Sequence, residues 1–150
     1  VQHRSFVFGH VFDVPAATLF DVFADAQSRQ DLGAVNGTLK FDLQQADFRI
    51  GGTDLFRFGQ HSLKFHGQTQ FHDIVPDQRI VATECITLAD RPLSLTTLTM
   101  EFAPSDDRTR FKLTTQVAAL DDADLFREST IRSELLVESL IAYLSRRPQA

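Results

Sequence analysis

The sequence predicts an α+β fold of about seven antiparallel strands, two short helices after the first strand, and one long C-terminal helix. Three observations carry this. Residues 38–117 break into runs of apolar and polar alternation separated by turn residues at regular intervals, the pattern of an antiparallel meander. Residues 121–147 instead repeat apolar residues every three to four positions, which is the helical period. The chain has 150 residues, enough for about one hydrophobic core, so a single domain over 1–150 is expected.

Residues 4–13 alternate, with Phe6, Phe8, His10 and Phe12 on one side of a strand. Pro15 follows where a first helical turn tolerates a missing N–H. Leu19, Phe20, Val22 and Phe23 then give the spacing of a short helix to about Ala26, and a weaker helical turn follows over 28–32. Six strands come next, at 38–48, 53–58, 63–74, 79–88, 93–103 and 108–118. They are punctuated by Gly51-Gly52, Gly59-Gln60-His61-Ser62, Pro76-Asp77, Ala89-Asp90-Arg91-Pro92 and Pro104-Ser105-Asp106-Asp107. Asp121, Asp122 and Asp124 place negative charge where a helix N-terminus is positive, and Arg146-Arg147 and Pro148 close the other end. That helix has about 25 residues and a length of roughly 37 Å. Leu136, Leu140 and Leu144 run along it beside Val137 and Ile141, whereas Ser129, Thr130 and Ser133 interrupt the stripe in its first half.

Composition narrows the function classes. Hydrophobic residues make up 43% and charged residues 23%, a globular balance. A net charge of -5 and the absence of a basic block argue against nucleic-acid binding. No apolar run approaches the ~18 residues of a membrane span. The lone Cys85 fits a reducing, cytoplasmic setting, and no signal-peptide pattern is read at the N-terminus. The aromatics are unusual: fourteen Phe, one Tyr and no Trp. Phe brings large apolar area with no polar tip to satisfy, so this chain lines either a tight core or a cavity.

The order of elements and several motifs carry a resemblance. The motifs are the run Val14-Pro15-Ala16-Ala17-Thr18-Leu19-Phe20-Asp21-Val22-Phe23, then Asp47-Phe48-Arg49-Ile50-Gly51-Gly52, then Asp73-Ile74-Val75-Pro76-Asp77-Gln78-Arg79-Ile80-Val81. With these the chain resembles the START/Bet v 1-like (SRPBCC) superfamily, in the branch similar to the Hsp90 ATPase activator C-terminal domain (AHSA1-like). The resemblance implies a helix-grip fold, a curved sheet wrapped around the C-terminal helix. It also implies hydrophobic ligands such as lipids, sterols or aromatic polyketides. One departure is that family members often carry Trp in the second short helix, and residues 26–37 have none.

Strand parity nominates the lining of such a cavity. Pairing Phe58 with Leu63 and Val75 with Gln78, and allowing a five-residue connection before 93, chains one face across the meander. It carries Phe56, Phe65, Thr69 and Phe71, then Ile80, Ala82 and Glu84, then Thr96, Leu98 and Met100, then Phe111, Leu113 and Thr115. The other face is polar, with His66, Gln68, Gln70, Thr97, Lys112 and Gln116. From the inner face the candidate ligand-binding residues are Phe41, Phe56, Phe58, Phe65, Thr69, Phe71, Glu84, Leu98, Met100 and Phe111. His10 joins them from the first strand, and Phe126, Thr130 and Ser133 from the last helix. Glu84 is the lone carboxylate of that face and His10 the polar group of its strand; the two are expected three strand spacings apart, about 14 Å.

Chemical motifs are otherwise weak. His66 and His72 stand about 20 Å apart along one strand, too far to share an ion. Arg49-Ile50-Gly51-Gly52 is a turn rather than a phosphate loop. No cofactor or metal is called for. The expectation is a protein that binds a small hydrophobic molecule between sheet and C-terminal helix, as a monomer or homodimer. The alternatives are a polyketide cyclase or aromatase-like enzyme using Glu84 or His10 as acid or base, and a chaperone-interaction domain like the Hsp90 activator.

Overall fold

One antiparallel sheet of seven strands, in the order β1-β7-β6-β5-β4-β3-β2, forms the body of the computed structural model. The structure describes residues 1–34, 39–120 and 125–146, with the side chains of the final segment described from 136 onward. The elements are β1 (Gln2–Phe12), α1 (Ala16–Ala24), α2 (Ala26–Ala34), β2 (Lys40–Gln45), β3 (Thr53–Gly59), β4 (Phe65–Val75), β5 (Arg79–Leu88), β6 (Arg91–Ser105), β7 (Arg108–Ala119) and α3 (Leu125–Arg146). This is the helix-grip arrangement. No described helix is long and apolar enough to cross a membrane.

The helical insert departs from expectation in extent. Pro15 is the N-cap rather than the first helical residue, and its carbonyl accepts the Leu19 N–H at 3.1 Å. Asp25 both ends α1 and starts α2. Its N–H donates to the Asp21 carbonyl, while its carboxylate accepts the Ser28 N–H and hydroxyl, each at 2.9 Å. That side-chain cap turns the expected single turn at 28–32 into a helix of nine residues.

The strands keep the expected faces, although three loops differ. Phe58 pairs with Phe65 instead of Leu63, a shift of two residues that leaves parity unchanged. Val75 pairs with Arg79 across a turn in which Gln78 N–H donates to the Val75 carbonyl and Asp77 has φ 63°. An irregularity between Phe71 and Asp73 then restores the pairs Phe71–Ala82 and Thr69–Glu84. The expected five-residue connection is a two-residue turn, Ala89-Asp90, with φ of 50° and 63°. A bulge between Ile86 and Thr87 compensates, and Pro92 sits beside it, where a missing N–H is tolerated.

The phenylalanines divide into two packs. Phe12, Phe20, Phe23, Phe102 and Phe111 pack with α1 and α3 at one end of the sheet, Phe111 being fully buried. Phe56 and Phe58 pack with Ile86, Leu93 and Val117 at the other, with Phe41 and Phe65 against them. α3 lies against β1, β7 and α2. It spans 22 residues, about 33 Å. The expected caps at Asp121–Asp124 and Pro148 lie outside the described residues.

Candidate functional site

Between the two aromatic packs the inner face of the sheet is incompletely filled. A cavity of about 250 Å³ remains, floored by β3 to β7 and covered by α2, β2 and α3. Its wall is mainly apolar. Phe56 and Phe58 come from β3, Phe71 from β4, and Leu98 and Met100 from β6, while Leu32 of α2 and Leu136 of α3 close over them. Phe41 stacks on Phe56 with ring centroids 5.3 Å apart, and Phe48 meets Phe71 edge-to-face at 5.0 Å. Gly67 makes this packing possible, because the Phe56 ring occupies the space a Cβ there would take.

The polar groups are ordered by the ladder. Asp54 on β3 pairs with Thr69 on β4, Thr69 with Glu84 on β5, and Glu84 with Thr96 on β6. All four line the cavity, so one transverse row of the floor is polar across four strands, about 14 Å at 4.8 Å per strand. The neighbouring rows read Phe56, Gly67, Ile86, Ser94 on one side and Phe71, Ala82, Leu98, Thr115 on the other. Thr115 on β7 lies diagonal to Thr96; it is 1% exposed and its Oγ1 has no hydrogen-bond partner among the described residues.

Arg29 of α2 closes the row at the β3 end. Its Nε donates to Asp54 Oδ2 at 2.8 Å, Nη2 to Oδ1 at 3.0 Å, and Nη1 to the Phe23 carbonyl at 2.9 Å. Asp54 Oδ1 also accepts the Asp47 N–H at 3.0 Å. The guanidinium lies 5.5 Å from the Phe48 ring centroid and 5.9 Å from that of Phe71. A two-pronged, charge-assisted pair stacked on rings holds α2 to β3.

Of the residues nominated from sequence, Phe41, Phe56, Phe58, Thr69, Phe71, Glu84, Leu98 and Met100 line this cavity. Phe65 does not; it stacks on Phe58 from the far side at 5.2 Å. Phe111 sits in the other aromatic pack, against Phe12, Phe23 and Phe102. His10 is exposed and edge-on to Phe12. Its separation from Glu84 is greater than expected. The Glu84 row reaches β1 at Arg4, and His10 lies six residues farther along, about 20 Å. Phe126, Thr130 and Ser133 lie outside the described side chains.

Sequence reasoning missed Arg29 and Asp54. Asp54 had a signal, since it shares parity with Phe56 and Phe58 and is therefore an inward carboxylate on β3. Arg29 had none, because its role depends on where α2 lands.

A family model described as Activator of Hsp90 ATPase homolog 1-like protein matches residues 13–144. The chain belongs to this family. Among solved structures, this Hsp90-activator-like chain is 30% identical to the Mll3558 protein from Rhizobium loti. The match covers 95% of this chain and 97% of that one at a TM-score of 0.83. An uncharacterised protein from Rhizobium leguminosarum matches at 23% identity, 97% coverage of both chains and a TM-score of 0.86. Ara h 8.0201 shares the fold at 11% identity, covering 97% of this chain and 100% of its own, with a TM-score of 0.71. No curated protein matches the chain.

Proposed function

We propose that this chain binds one small, largely apolar molecule in the cavity between the sheet, α2 and α3. The observation that carries the proposal is the unfilled space itself. A chain with fourteen Phe packs two dense aromatic clusters, yet leaves about 250 Å³ between them. Protein interiors are normally packed to crystal density, so a partly open pocket of this size, walled mainly by Phe, Leu and Met, is a departure that an occupant explains. An apolar cavity of about 150 Å³ already holds benzene, so this one has room for about two fused rings. The fold family is known for small hydrophobic ligands, which supports the same reading.

Native mass spectrometry of gently purified protein, with organic extraction of the bound material, tests it. The expected result is a reproducible adduct at one molecule per chain whose signal falls when Phe58 or Leu98 is enlarged to Trp. Bare polypeptide mass, together with no thermal shift across a library of one- to three-ring hydrophobic compounds, would overturn it.

A further inference from the structure

The sheet has a second face, turned away from the cavity. The helices pack on the inner face, where Phe20 and Phe23 of α1 and Leu140 of α3 join Phe102 and Phe111 in one cluster. On the outer face the ladder sets three consecutive rows across the strands, from Leu55 to His3, from Thr53 to Ser5, and from Val81 to Val7. None of the residues in these rows is Asp, Glu, Lys or Arg, although such residues make up 23% of the chain. Charge returns in the rows beyond. Asp42 and Arg57 stand opposite each other on one side, and on the other Arg79 pairs with Asp73 at 2.6 Å and Lys112 with Glu101 at 3.8 Å.

We propose that this uncharged patch is the interface of a homodimer, in which two copies of the chain pack their outer sheet faces together as the sheets of a sandwich do. An uncharged centre inside a charged rim is the composition of a protein interface rather than of a solvated face. The centre is also partly apolar, with Val7 61%, Leu95 47% and Leu55 36% exposed. At about 4.8 Å per strand and 6.8 Å per row the patch covers roughly 600 Å². Two copies then bury about 1,200 Å², the lower end of specific interfaces.

Charge and shape select a second copy as the occupant. Side chains near a two-fold axis meet their own copies, so any charge there faces itself, and a chain of net charge -5 associates best where its surface is neutral. A partner recognised by opposite charge needs a charged centre to meet, and the patch offers none. A groove lined by His3, Ser5, Thr97 and Gln116 runs beside the protruding Leu95. A knob next to a hollow is self-complementary across a two-fold, each copy's leucine entering the other's groove.

The chain carries its own reporter. Cys85, its one cysteine, is half-buried in the patch between Gln68 and Leu95. Sedimentation velocity of the full chain between about 1 and 200 μM tests the proposal, the range in which an interface of this size dissociates. We expect the mean mass to climb from 16.9 kDa toward twice that value, and maleimide labelling of Cys85 to slow in step. Leu95→Lys and Thr97→Lys each put a charge near the axis and should weaken association at least about tenfold. Ile141→Lys, at an exposed apolar site on α3, should leave association unchanged. A chain that stays at 16.9 kDa throughout would overturn the proposal, as would a dimer that both patch variants leave intact. So would a dimer whose Cys85 labels at a constant rate, the result of pairing through the β1 edge about 14 Å away. Urea melts establish that each variant is folded. No residue of the three rows lines the cavity, so failure here leaves the binding reading as it stands.

Discussion

Thr115 is a polar residue set in the buried floor of the sheet. Its hydroxyl is buried and unpaired among the described residues, so Thr115→Val should raise the free energy of unfolding by about 1 kcal/mol, measured in urea. An unchanged or lowered stability would show that the hydroxyl finds a partner in solution. Arg29 and Asp54 are the opposite case, since every contact between them is made and both side chains are nearly buried, at 12% and 7% exposure. Removing one partner leaves the other charge stranded, so Asp54→Ala should lower stability by about 3 kcal/mol. The double variant Arg29→Met/Asp54→Leu should lose less than the sum of the single changes. A denaturation cycle over the four proteins measures this coupling directly.

Among the elements, α2 and β4 shape the cavity most. The floor is flat enough to hold a ring only because Gly67 leaves room for Phe56. Gly67→Ala should push that ring into the cavity, lower stability by about 1–3 kcal/mol, and weaken binding of any two-ring probe. Adding Phe56→Leu to the same chain should recover both readouts, and a Gly67→Ala protein that binds the probe normally would show that the ring has another place to go. α2 matters because it supplies Arg29 and Leu32 to the wall, and its presence depends on the Asp25 cap. Little in the 26–34 segment itself has an amphipathic pattern, which is why only a weak turn is legible there. The helix forms through its cap and its tertiary contacts, including the Tyr143 hydroxyl of α3 bonded to Ser28 at 3.1 Å.

Across the whole molecule, the two aromatic packs have different duties. In the Phe12–Phe23–Phe102–Phe111 pack only Phe23 borders the cavity, and Phe111 has no exposure at all. Phe111→Ala should therefore lower stability by about 3–5 kcal/mol, because the hole it leaves cannot be filled. Phe58 borders space that is already open, so Phe58→Ala should lose less stability and shift probe preference toward three-ring compounds. Paired urea melts and a probe-size series separate the two roles. Similar stability losses with no change in size preference would mean that the second pack also serves only as core.

What the sequence determined by itself is the alternation. Apolar and polar residues switch sides every second position along five strands, so the inner face, with Thr69, Glu84, Leu98 and Met100 on it, follows from parity alone. That result survived three misjudged loops because each turn shifted pairing by two residues or was matched by a bulge. The long final helix was legible for a similar reason, its i+4 leucine row being a local property. The tertiary structure decided what parity cannot express. Both Phe111 and Phe71 point inward and belong to one buried cluster, but only their positions along the strands keep Phe111 off the cavity and put Phe71 on its wall. Arg29 reaches Asp54 across 25 residues of chain, and no local pattern carries the packing that brings them together. Facing is a two-residue property of the backbone, whereas filling is settled by which distant side chains arrive at the same place.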